Sequence, residues 1–573
     1  MEEKKIIYQT FPRLFGNKCV TRKPNGTLAE NGCGKMNDYT DSALQAIRKT
    51  GFNYIWYTGI IQHAQCTPYD CYGIPKGNPH IIKGMAGSPY AITDYYAVDP
   101  DLATDVSRRM EEFEALTERS HRNGLKVIID FVPNHVAREY HSVQKPESVA
   151  DFGANDHSEF SFHPQNNFYY MPGQGFAPHI YLGSGDEQYH EMPAKATGND
   201  CFHAFPDKND WYETIKLNYG VNYATGERCF EPIPDTWTKM LHILLYWSEK
   251  HIDGFRCDMA HMVPIEFWEW VIPRVKHQYP DIIFIAEIYS PELYREYLYR
   301  GHFDYLYDKV GLYDTLRAIV EGKTPASAIT SQWQALEGIQ SRMVNFLENH
   351  DEQRGASDFF AGDPQKLIPA LIVSATMNVN PFLIYFGQEL GEKGMEAEGF
   401  SGKDGRTSIF DYWSLDTMIR WNNNGKWDET LLTEDEKKLR SCYTKVLTAC
   451  NQEKAISEGL FFDLMYVNYD SPGFNPQKQY AYLRKYEDEL LIIIVNFDDT
   501  AIAPSVRIPR HAFDFMNITP DKYFSHEILS GEERILSVLP DEPVVYPIKP
   551  HSGVMIKINL QTPNREKNKK TNI

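Results

Sequence analysis

The chain has 573 residues and a formal net charge of −20, from 58 Lys and Arg against 78 Asp and Glu. Nucleic acids and anionic membranes attract basic surfaces, so this charge argues against both as partners and favours a neutral substrate. Hydrophobic residues make up 42% of the chain, as in globular proteins, and no apolar run approaches the roughly 20 residues of a membrane-spanning helix.

A chain of 573 residues is long enough for two or three domains. Strand-like and helical patterns alternate over much of its first 450 residues. The predicted strands are Ile6–Phe11, Tyr54–Thr58, Lys126–Asp130, His251–Cys257, Ile282–Ala286, Phe303–Tyr307, Arg342–Leu347 and Pro381–Phe386. Helical spacing of apolar residues predicts helices at Asp41–Thr50, Asp105–Asn123, Trp237–Leu245, Pro291–Arg300, Tyr313–Val320 and Pro364–Met377. Eight such units favour an α/β fold in which a (β/α)8 TIM barrel closes, over an open sheet.

Two segments depart from this alternation. About 100 residues after His135 are rich in Gly, Pro, Asn and aromatics, which predicts an inserted subdomain after strand three. After a helix near Glu434–Cys450, short β runs predict a C-terminal antiparallel β-sandwich, with strands at Phe461–Val467, Gln479–Tyr486, Leu490–Phe497, Val544–Ile548 and Val554–Asn559. The predicted units are the barrel over 1–134 and 236–452, the insert over 135–235, the β domain over 453–560 and a disordered tail over 561–573.

Reactive side chains follow four of the predicted barrel strands, and barrel enzymes bind substrates at those strand ends. They are Asp130, Asn134 and His135 after strand three, Arg256 and Asp258 on strand four, Glu287 after strand five, and His350 and Asp351 after strand seven. Any one of these would most often be a surface or structural residue. Their convergence on one rim of the barrel predicts an active site.

Asp258 and Glu287 are the central pair, because each carboxyl group follows an apolar run and the two runs are one βα unit apart. Two carboxyl groups on neighbouring strand ends suit acid/base and covalent chemistry at a single substrate bond. Arg256 precedes Asp258 by two residues on the same strand, so both side chains point to the same face. The guanidinium can therefore hold Asp258 ionised.

The rim closely resembles the four signature regions of the α-amylase family of glycoside hydrolases and transglycosylases. The matching segments are Asp130–His135, Gly254–Asp258, Phe284–Ile288 with Glu287, and Phe346–Asp351. Similarity extends to Gly87–Tyr95, to Tyr385–Glu389 and to Leu491–Phe497 in the β domain, and so covers nearly the whole chain.

The resemblance implies a role for each matched residue. Asp258 is the expected nucleophile, Glu287 the general acid/base, and Asp351 the third acid, which binds sugar hydroxyls. His135, His350 and Arg256 are expected to bind substrate or orient the acids, and Tyr90 to stack on the sugar, while Asp130 supports the rim. The implied reaction is hydrolysis of α-1,4 links in starch- or glycogen-derived α-glucans or maltooligosaccharides, by double displacement with retention.

The same family pattern raises the question of calcium. Asn134 matches a calcium ligand, and an amide oxygen suits this hard cation. Many members carry Lys and His three and four residues after the nucleophile, the second giving a backbone carbonyl to calcium, whereas this chain has His261 and Met262. A structural calcium is therefore a weakened expectation, contacts on the acceptor side are less defined, and no organic cofactor is expected.

Two other functions remain open. A transglycosylase, or a trehalose- or maltose-converting enzyme, would use the same catalytic residues with a sugar as acceptor. A catalytically inactive glycan-binding relative is disfavoured, because Asp258, Glu287, Arg256 and Asp351 are all present.

Three further expectations concern the surroundings of the site. Aromatic residues of the insert, between Asp156 and Asp210, are expected to form its own core and in part to wall the cleft, and Trp413 could reach the cleft. If Met1 is the native start, the absence of a signal-like apolar segment predicts a cytoplasmic protein. A chain whose leader had been removed would look the same and would be periplasmic or secreted. The sequence does not determine the oligomeric state.

Overall fold

The computed structural model describes residues 3–563, and its centre is a closed barrel of eight parallel strands. Each strand pairs with its neighbours in the chain, and the last pairs with the first. The strands are β1 (Ile6–Thr10), β2 (Tyr54–Tyr57), β3 (Lys126–Phe131), β4 (Gly254–Cys257), β5 (Ile283–Ala286), β6 (Tyr305–Tyr307), β7 (Met343–Phe346) and β8 (Phe382–Tyr385). All eight predicted strands are present, so the predicted TIM barrel is confirmed.

Alternation along these strands divides the core into two layers. Side chains including Ile7, Trp56, Ile128 and Ile285 point into the barrel and form one buried cluster. Those at the intervening positions, such as Phe255, belong to the larger cluster between the strands and the surrounding helices. Because successive side chains of a strand point to opposite faces, this alternation places Arg256 of β4 on the inner face.

Helices cover the outside of the barrel, and they form where apolar residues recur at helical spacing and capping residues stand at the ends. Thr40 accepts a hydrogen bond from the Ala43 amide at the start of α3, and Gly51 ends that helix at φ 119°. The α-helices are α1 (Pro12–Phe15), α2 (Leu28–Asn31), α3 (Asp41–Thr50), α4 (Arg109–Arg122), α5 (Asp235–Glu249), α6 (Ile265–Gln278), α7 (Tyr294–Tyr299), α8 (Asp314–Val320), α9 (Ala328–Ala335), α10 (Ile368–Thr376), α11 (Asp416–Asn422), α12 (Glu434–Gln452), α13 (Lys454–Ser457) and α14 (Arg510–Met516). Among residues 3–563, no helix is both long and apolar enough to span a bilayer.

The inserted subdomain leaves the barrel directly after β3 and returns at α5. Three short antiparallel pairs shape it: His135–Ala137 with Thr214–Lys216, Tyr170–Met171 with Ala194–Lys195, and Val221–Asn222 with Glu227–Arg228. Met171, Phe176 and Tyr212 are buried in a small core of its own. A further pair, Ile61–His63 with Ile92–Val98, follows β2 and positions the nearby Tyr90 at the rim.

The C-terminal region is built from antiparallel strands, as predicted. They are β9 (Leu460–Asp463), β10 (Gln479–Tyr486), β11 (Glu489–Asn496), β12 (Ser505–Arg507), β13 (Asp521–Glu527), β14 (Glu533–Val538), β15 (Pro543–Val545) and β16 (Ser552–Pro563). Six of them form one sheet in the order β9-β10-β11-β16-β13-β14, and β12 pairs with β15.

Several predicted boundaries in this region differ from the structure. The strand predicted at Val544–Ile548 is observed at Pro543–Val545, and the sequence pattern does not predict β12, β13 or β14. The strand predicted at Phe461–Val467 ends at Asp463, because its carboxylate accepts the Met465 amide hydrogen bond and the chain turns into a short 3-10 helix. The predicted tail begins at 561, but β16 continues to Pro563. Residues 564–573 lie outside the described part of the chain.

Candidate active site

The backbone register of β3, β4 and β5 brings the predicted acids together. Arg256 pairs with Asp130 across β4 and β3. The ladder continues one residue further, since the Asp258 amide donates to the Phe131 carbonyl at 2.9 Å and the Glu287 amide donates to the Cys257 carbonyl at 3.1 Å. Both acids therefore stand at the first position beyond their strands, at the carboxyl end of the barrel, where barrel enzymes carry their active sites.

The Arg256 guanidinium connects three carboxyl groups. Its Nη1 lies 2.8 Å from Asp258 Oδ1 and 3.4 Å from Asp130 Oδ1, and its Nη2 lies 2.7 Å from Glu287 Oε2. Arg256 is 1% exposed and the three acids are also buried. One buried cation facing three carboxyl groups leaves an excess of negative charge, which favours retention of a proton in the cluster.

The two oxygens of Asp258 have different surroundings. Oδ1 accepts the hydrogen bond from Arg256 Nη1, which leaves Oδ2 as the oxygen available to a substrate. Burial raises the pKa of Asp258 well above the usual value for an aspartate, while Arg256 opposes this shift. The guanidinium therefore favours the ionised form that a nucleophile requires.

The two oxygens of Glu287 have different surroundings. Oε2 accepts a hydrogen bond from the Met259 amide at 2.8 Å and faces Arg256 Nη2. Oε1 is 2.5 Å from the hydroxyl of Tyr289, which donates to it. Because donors already surround Oε2, a proton on Glu287 belongs on Oε1, and Tyr289 contacts the oxygen that would exchange it.

Asp351 and His350 form the opposite side of the site. His350 Nε2 lies 3.0 Å from Asp351 Oδ2 and 2.6 Å from the Tyr90 hydroxyl, and its Nδ1 is 2.8 Å from Gln9 Nε2. Burial acts to raise the pKa of Asp351, but His350 and Arg256 outweigh it and lower the pKa to about 2. Asp351 is ionised at neutral pH, and 43% of its side chain is exposed, so it can accept hydrogen bonds from a ligand.

Tyr90 and Asp130 complete the floor of the site. The Tyr90 ring stacks on His350 with centroids 5.2 Å apart, and Arg256 lies 5.3 Å from its centroid. Asp130 Oδ2 accepts a hydrogen bond from the Trp56 indole at 3.0 Å. Burial raises the pKa of Asp130, opposed by Arg256. Asp130 thus supports the rim from below, as its position in the sequence suggested.

His135 comes to the site from the insert side. Its ring meets Trp211 edge to face at 5.3 Å. Burial, assisted by the charge of Lys216, lowers the pKa of His135 to about 3. The imidazole is therefore neutral near pH 7 and can both donate to and accept from sugar hydroxyls.

Asn134, the predicted calcium ligand, is completely buried, and its side chain contacts protein groups through both its oxygen and its nitrogen. Its Oδ1 accepts a hydrogen bond from Lys216 Nζ at 2.5 Å, and its Nδ2 donates to the Gly198 carbonyl at 2.8 Å. In the part of the chain that the structure describes, no group of three or more His, Cys, Asp or Glu side chains could hold a metal ion. The amide oxygen expected to bind calcium is in contact with an ammonium group.

These groups border a cleft of about 530 Å³. Residues predicted from the sequence that line it are Tyr90, His135, Asp258, Glu287 and Asp351. The sequence reasoning missed Lys83, Trp211, Glu213, Tyr289, Lys309 and Phe410, which also line it. They lie in loops or short elements without a periodic pattern, and only Tyr289 had a signal, its position two residues after Glu287.

The predicted aromatic wall of the insert takes a different form. Phe168, Tyr169, Tyr170 and Phe176 are buried, Phe168 and Tyr170 in the main core and Phe176 in the small core of the insert. Trp211 of the insert lines the cleft. Trp413 does not line the cleft, because its ring is buried and its indole donates to Glu396 at 2.5 Å. Neighbouring Phe410 lines the cleft instead.

Comparison with known proteins gives consistent results. The family model for the α-amylase catalytic domain matches residues 23–445. Alpha-amylase 2 of Dictyoglomus thermophilum is 22% identical over 503 residues, which is 87% of this chain and 70% of that protein. The alpha-1,4-glucan:maltose-1-phosphate maltosyltransferase of Cereibacter sphaeroides is 29% identical over 253 residues, covering 43% of this chain and 32% of the transferase.

Solved structures show the same fold. The α-amylase from Geobacillus thermoleovorans, crystallised with acarbose, superposes with a TM-score of 0.63 at 18% identity. The alignment covers 98% of this chain and 99% of the other. The barrel, the insert and the C-terminal sheet thus occur together in a solved protein of similar length.

Proposed function

The chain belongs to the α-amylase family, and on that premise we propose that it hydrolyses α-1,4-glucosidic bonds in starch- or glycogen-derived glucans or maltooligosaccharides with retention of configuration. The observation that carries the proposal is the pair Asp258 and Glu287, held by the two terminal nitrogens of Arg256 at 2.8 and 2.7 Å. Retaining glycosidases need two carboxyl groups about 5 to 5.5 Å apart, against roughly 6.5 to 9.5 Å in inverting enzymes. Because both carboxyl groups contact the same guanidinium, the shorter separation, that of a retaining enzyme, is favoured for Asp258 and Glu287.

In the first step, Glu287 delivers the proton on Oε1 to the glycosidic oxygen while the bond from that oxygen to the anomeric carbon breaks. Asp258 Oδ2 attacks the anomeric carbon from the opposite face and forms a β-glycosyl ester. Glu287 becomes a carboxylate in this step. The Tyr289 hydroxyl and the Met259 amide donate to its two oxygens and so stabilise the developing charge.

In the second step, Glu287 Oε1 accepts a proton from water, and the oxygen of that water attacks the anomeric carbon. The bond to Asp258 breaks, the aspartate regains its charge, and the product leaves with α configuration. Arg256 is again the counter-ion for the released carboxylate. The proton taken from water restores Glu287 for the next cycle.

Asp351, His350 and Tyr90 support the oxocarbenium-like transition state of each step. Asp351 accepts hydrogen bonds from ring hydroxyls, which become stronger donors as the ring gains positive charge. Tyr90 presents an aromatic ring at the cleft, and the negative face of such a ring favours a cationic sugar. His350 contacts both residues and fixes their relative position.

A second candidate reaction replaces water with a sugar acceptor. The similarity to a maltosyltransferase favours this alternative, and the same residues would form the same ester. The partition between hydrolysis and transfer then depends on how far the acceptor side of the cleft admits water.

The test is a product analysis on maltoheptaose, maltose, pullulan and sucrose. Hydrolysis predicts only products shorter than the substrate, whereas longer oligosaccharides or trehalose would establish transfer. Asp258→Asn and Glu287→Gln should abolish turnover of the glucan. Asp281→Asn, an exposed acid in the same βα unit, is the matched control and should keep the wild-type profile.

A further inference from the structure

The buried ammonium group of Lys216 has an unusual set of neighbours. Its Nζ lies 2.5 Å from Asn134 Oδ1, 2.6 Å from Asp200 Oδ1 and 3.1 Å from the carbonyl oxygen of Met262. The Lys216 side chain is 1% exposed. Three oxygens from three separate segments thus converge on one cation: the end of the β3 rim, the insert, and the loop after β4.

This set overlaps with the one the sequence suggests for calcium. Asn134 is the amide that matches a calcium ligand, and Met262 is the residue four positions after Asp258 whose carbonyl would complete the site. Calcium binds six to eight oxygens at 2.3 to 2.6 Å. A calcium ion bound to these oxygens would have to occupy the space of Lys216 Nζ, and two cations in contact repel each other. The residues therefore do not fit calcium while Lys216 is in place.

The orientation of the Asn134 amide supports this assignment. Its Nδ2 donates to the Gly198 carbonyl, so Oδ1 has to face Lys216. The same Nδ2 lies 3.2 Å from His135 Nδ1. His135 also pairs with Lys216 in the short antiparallel ladder. Lys216 is therefore connected to His135 at the cleft in two ways: through the Asn134 side-chain amide and through backbone pairing of the two short strands.

We propose that Lys216 is a built-in cation that replaces the structural calcium of this region, so that the folded enzyme needs no divalent ion there. Lys216 is a positioning residue: it joins the insert to the barrel and fixes Asn134 and His135 beside the cleft. Burial lowers the pKa of Lys216, and the contact with Asp200 opposes this effect. The proposal does not depend on which glucan is the substrate.

A second lysine provides a matched comparison. Lys239 of α5 lies 2.9 Å from the Asp151 carbonyl, 2.8 Å from Asn167 Oδ1 and 2.8 Å from Asp235 Oδ2. It also joins the barrel to the insert and is buried, but it contacts neither Asn134 nor Met262. Its replacement removes a comparable buried ammonium group without altering the proposed site.

The experiment compares thermal unfolding and metal content of full-length wild type, Lys216→Ala, Lys216→Arg and Lys239→Met, each with EDTA and with millimolar calcium chloride. Wild type should carry no stoichiometric calcium, and its Tm should be the same in both buffers. Lys216→Ala should lose roughly 5 °C or more, as expected when a buried charge loses its partner. Calcium should restore part of that loss, because the three oxygens are then free to bind it.

The two comparison variants separate this effect from general destabilisation. Lys216→Arg keeps a cation and should respond to calcium no more than wild type. Lys239→Met should be less stable than wild type with the same Tm in EDTA and in calcium. The proposal is overturned if EDTA lowers the wild-type Tm, if purified wild type holds one calcium per chain, or if Lys216→Ala unfolds at the wild-type temperature. The wild-type measurements decide the question even if Lys216→Ala does not fold.

Discussion

The hydroxyl of Tyr289 lies 2.5 Å from Glu287 Oε1, on the oxygen that neither Arg256 nor the Met259 amide contacts. Glu287 has to become a carboxylate as the glycosidic bond breaks, and this hydroxyl is placed to stabilise the new charge. Under the proposed mechanism, Tyr289 would take part in the proton transfer, a role that the pattern of strand-end acids does not reveal.

Tyr289→Phe should therefore lower kcat on maltoheptaose by about 10- to 100-fold. This is the rate effect expected from losing one hydrogen bond to a charged group in the transition state. Fluoride leaves without a proton, so turnover of α-maltosyl fluoride should fall much less. Steady-state kinetics on the two substrates measure the difference. Tyr299→Phe, which removes the hydroxyl of a largely exposed tyrosine, is the control, and equal losses on both substrates would contradict the role of Tyr289.

Asp258 and Glu287 should respond differently to the same fluoride substrate. Asp258→Asn removes the nucleophile and should reduce kcat by about 10⁴- to 10⁶-fold on every substrate. Glu287→Gln should be similarly impaired on maltoheptaose but retain formation of the β-glycosyl ester from α-maltosyl fluoride. Added azide should displace Asp258 from the α face and yield an α-glycosyl azide. An α-glycosyl azide from Asp258→Asn, with a β-glycosyl azide from Glu287→Gln, would reverse the assignment.

Arg256 should set the acid limb of the pH profile. Burial raises the pKa of Asp258, so the acid limb of kcat/KM should lie above the ordinary aspartate value of about 3.9. Arg256 opposes that shift. Arg256→Lys loses the fork that contacts both acids, and its acid limb should move to higher pH. A limb that stays in place or moves to lower pH would contradict the role of Arg256.

Asp351→Asn should lower kcat without moving that acid limb. The pKa of Asp351 is about 2, so it remains ionised throughout the working range and does not titrate in the limb. Its hydrogen bonds to sugar hydroxyls strengthen in the transition state, and their loss should affect kcat more than KM. An increase in KM alone would show that Asp351 binds ground state and transition state equally.

Glu213 should make stability depend on pH. Burial raises its pKa to about 8, with Lys83 opposing, whereas the unfolded chain has a value near 4.3. Between these values the folded state keeps a proton that the unfolded state has released, so this residue lowers stability as pH rises from about 4 to 8. The Tm advantage of Glu213→Gln over wild type should grow over that range and then level off. An advantage that shrinks as pH rises would contradict this account.

The positions of Asp258 and Glu287 could be predicted because each follows a regular barrel strand. Asp258 and Glu287 follow consecutive apolar strands. Parallel strands of a barrel end at the same rim, and consecutive strands are neighbours, so the two residues are expected to lie close together. The register of Arg256 with Asp130 follows from the same regularity. The family resemblance then supplied separate roles for residues that strand positions alone would leave equivalent.

Other features depend on irregular segments and could not be predicted. Trp211 and Glu213 reach the cleft from an insert whose chain path has no period. Lys216 meets Asn134 only because the insert folds back to pair with His135. Phe461–Val467 has the composition of a strand, but the chain turns after Asp463, whose carboxylate accepts a hydrogen bond from the Met465 amide.

The most direct measurement is to label the enzyme with a slow substrate, 5-fluoro-α-maltosyl fluoride, and map the modified peptide by mass spectrometry. Double displacement predicts a glycosyl ester on Asp258 in the peptide around Gly254–Asp258. Proton NMR of fresh product should show the α anomer first. A label on Glu287 or Asp351, or initial release of the β anomer, would contradict the account.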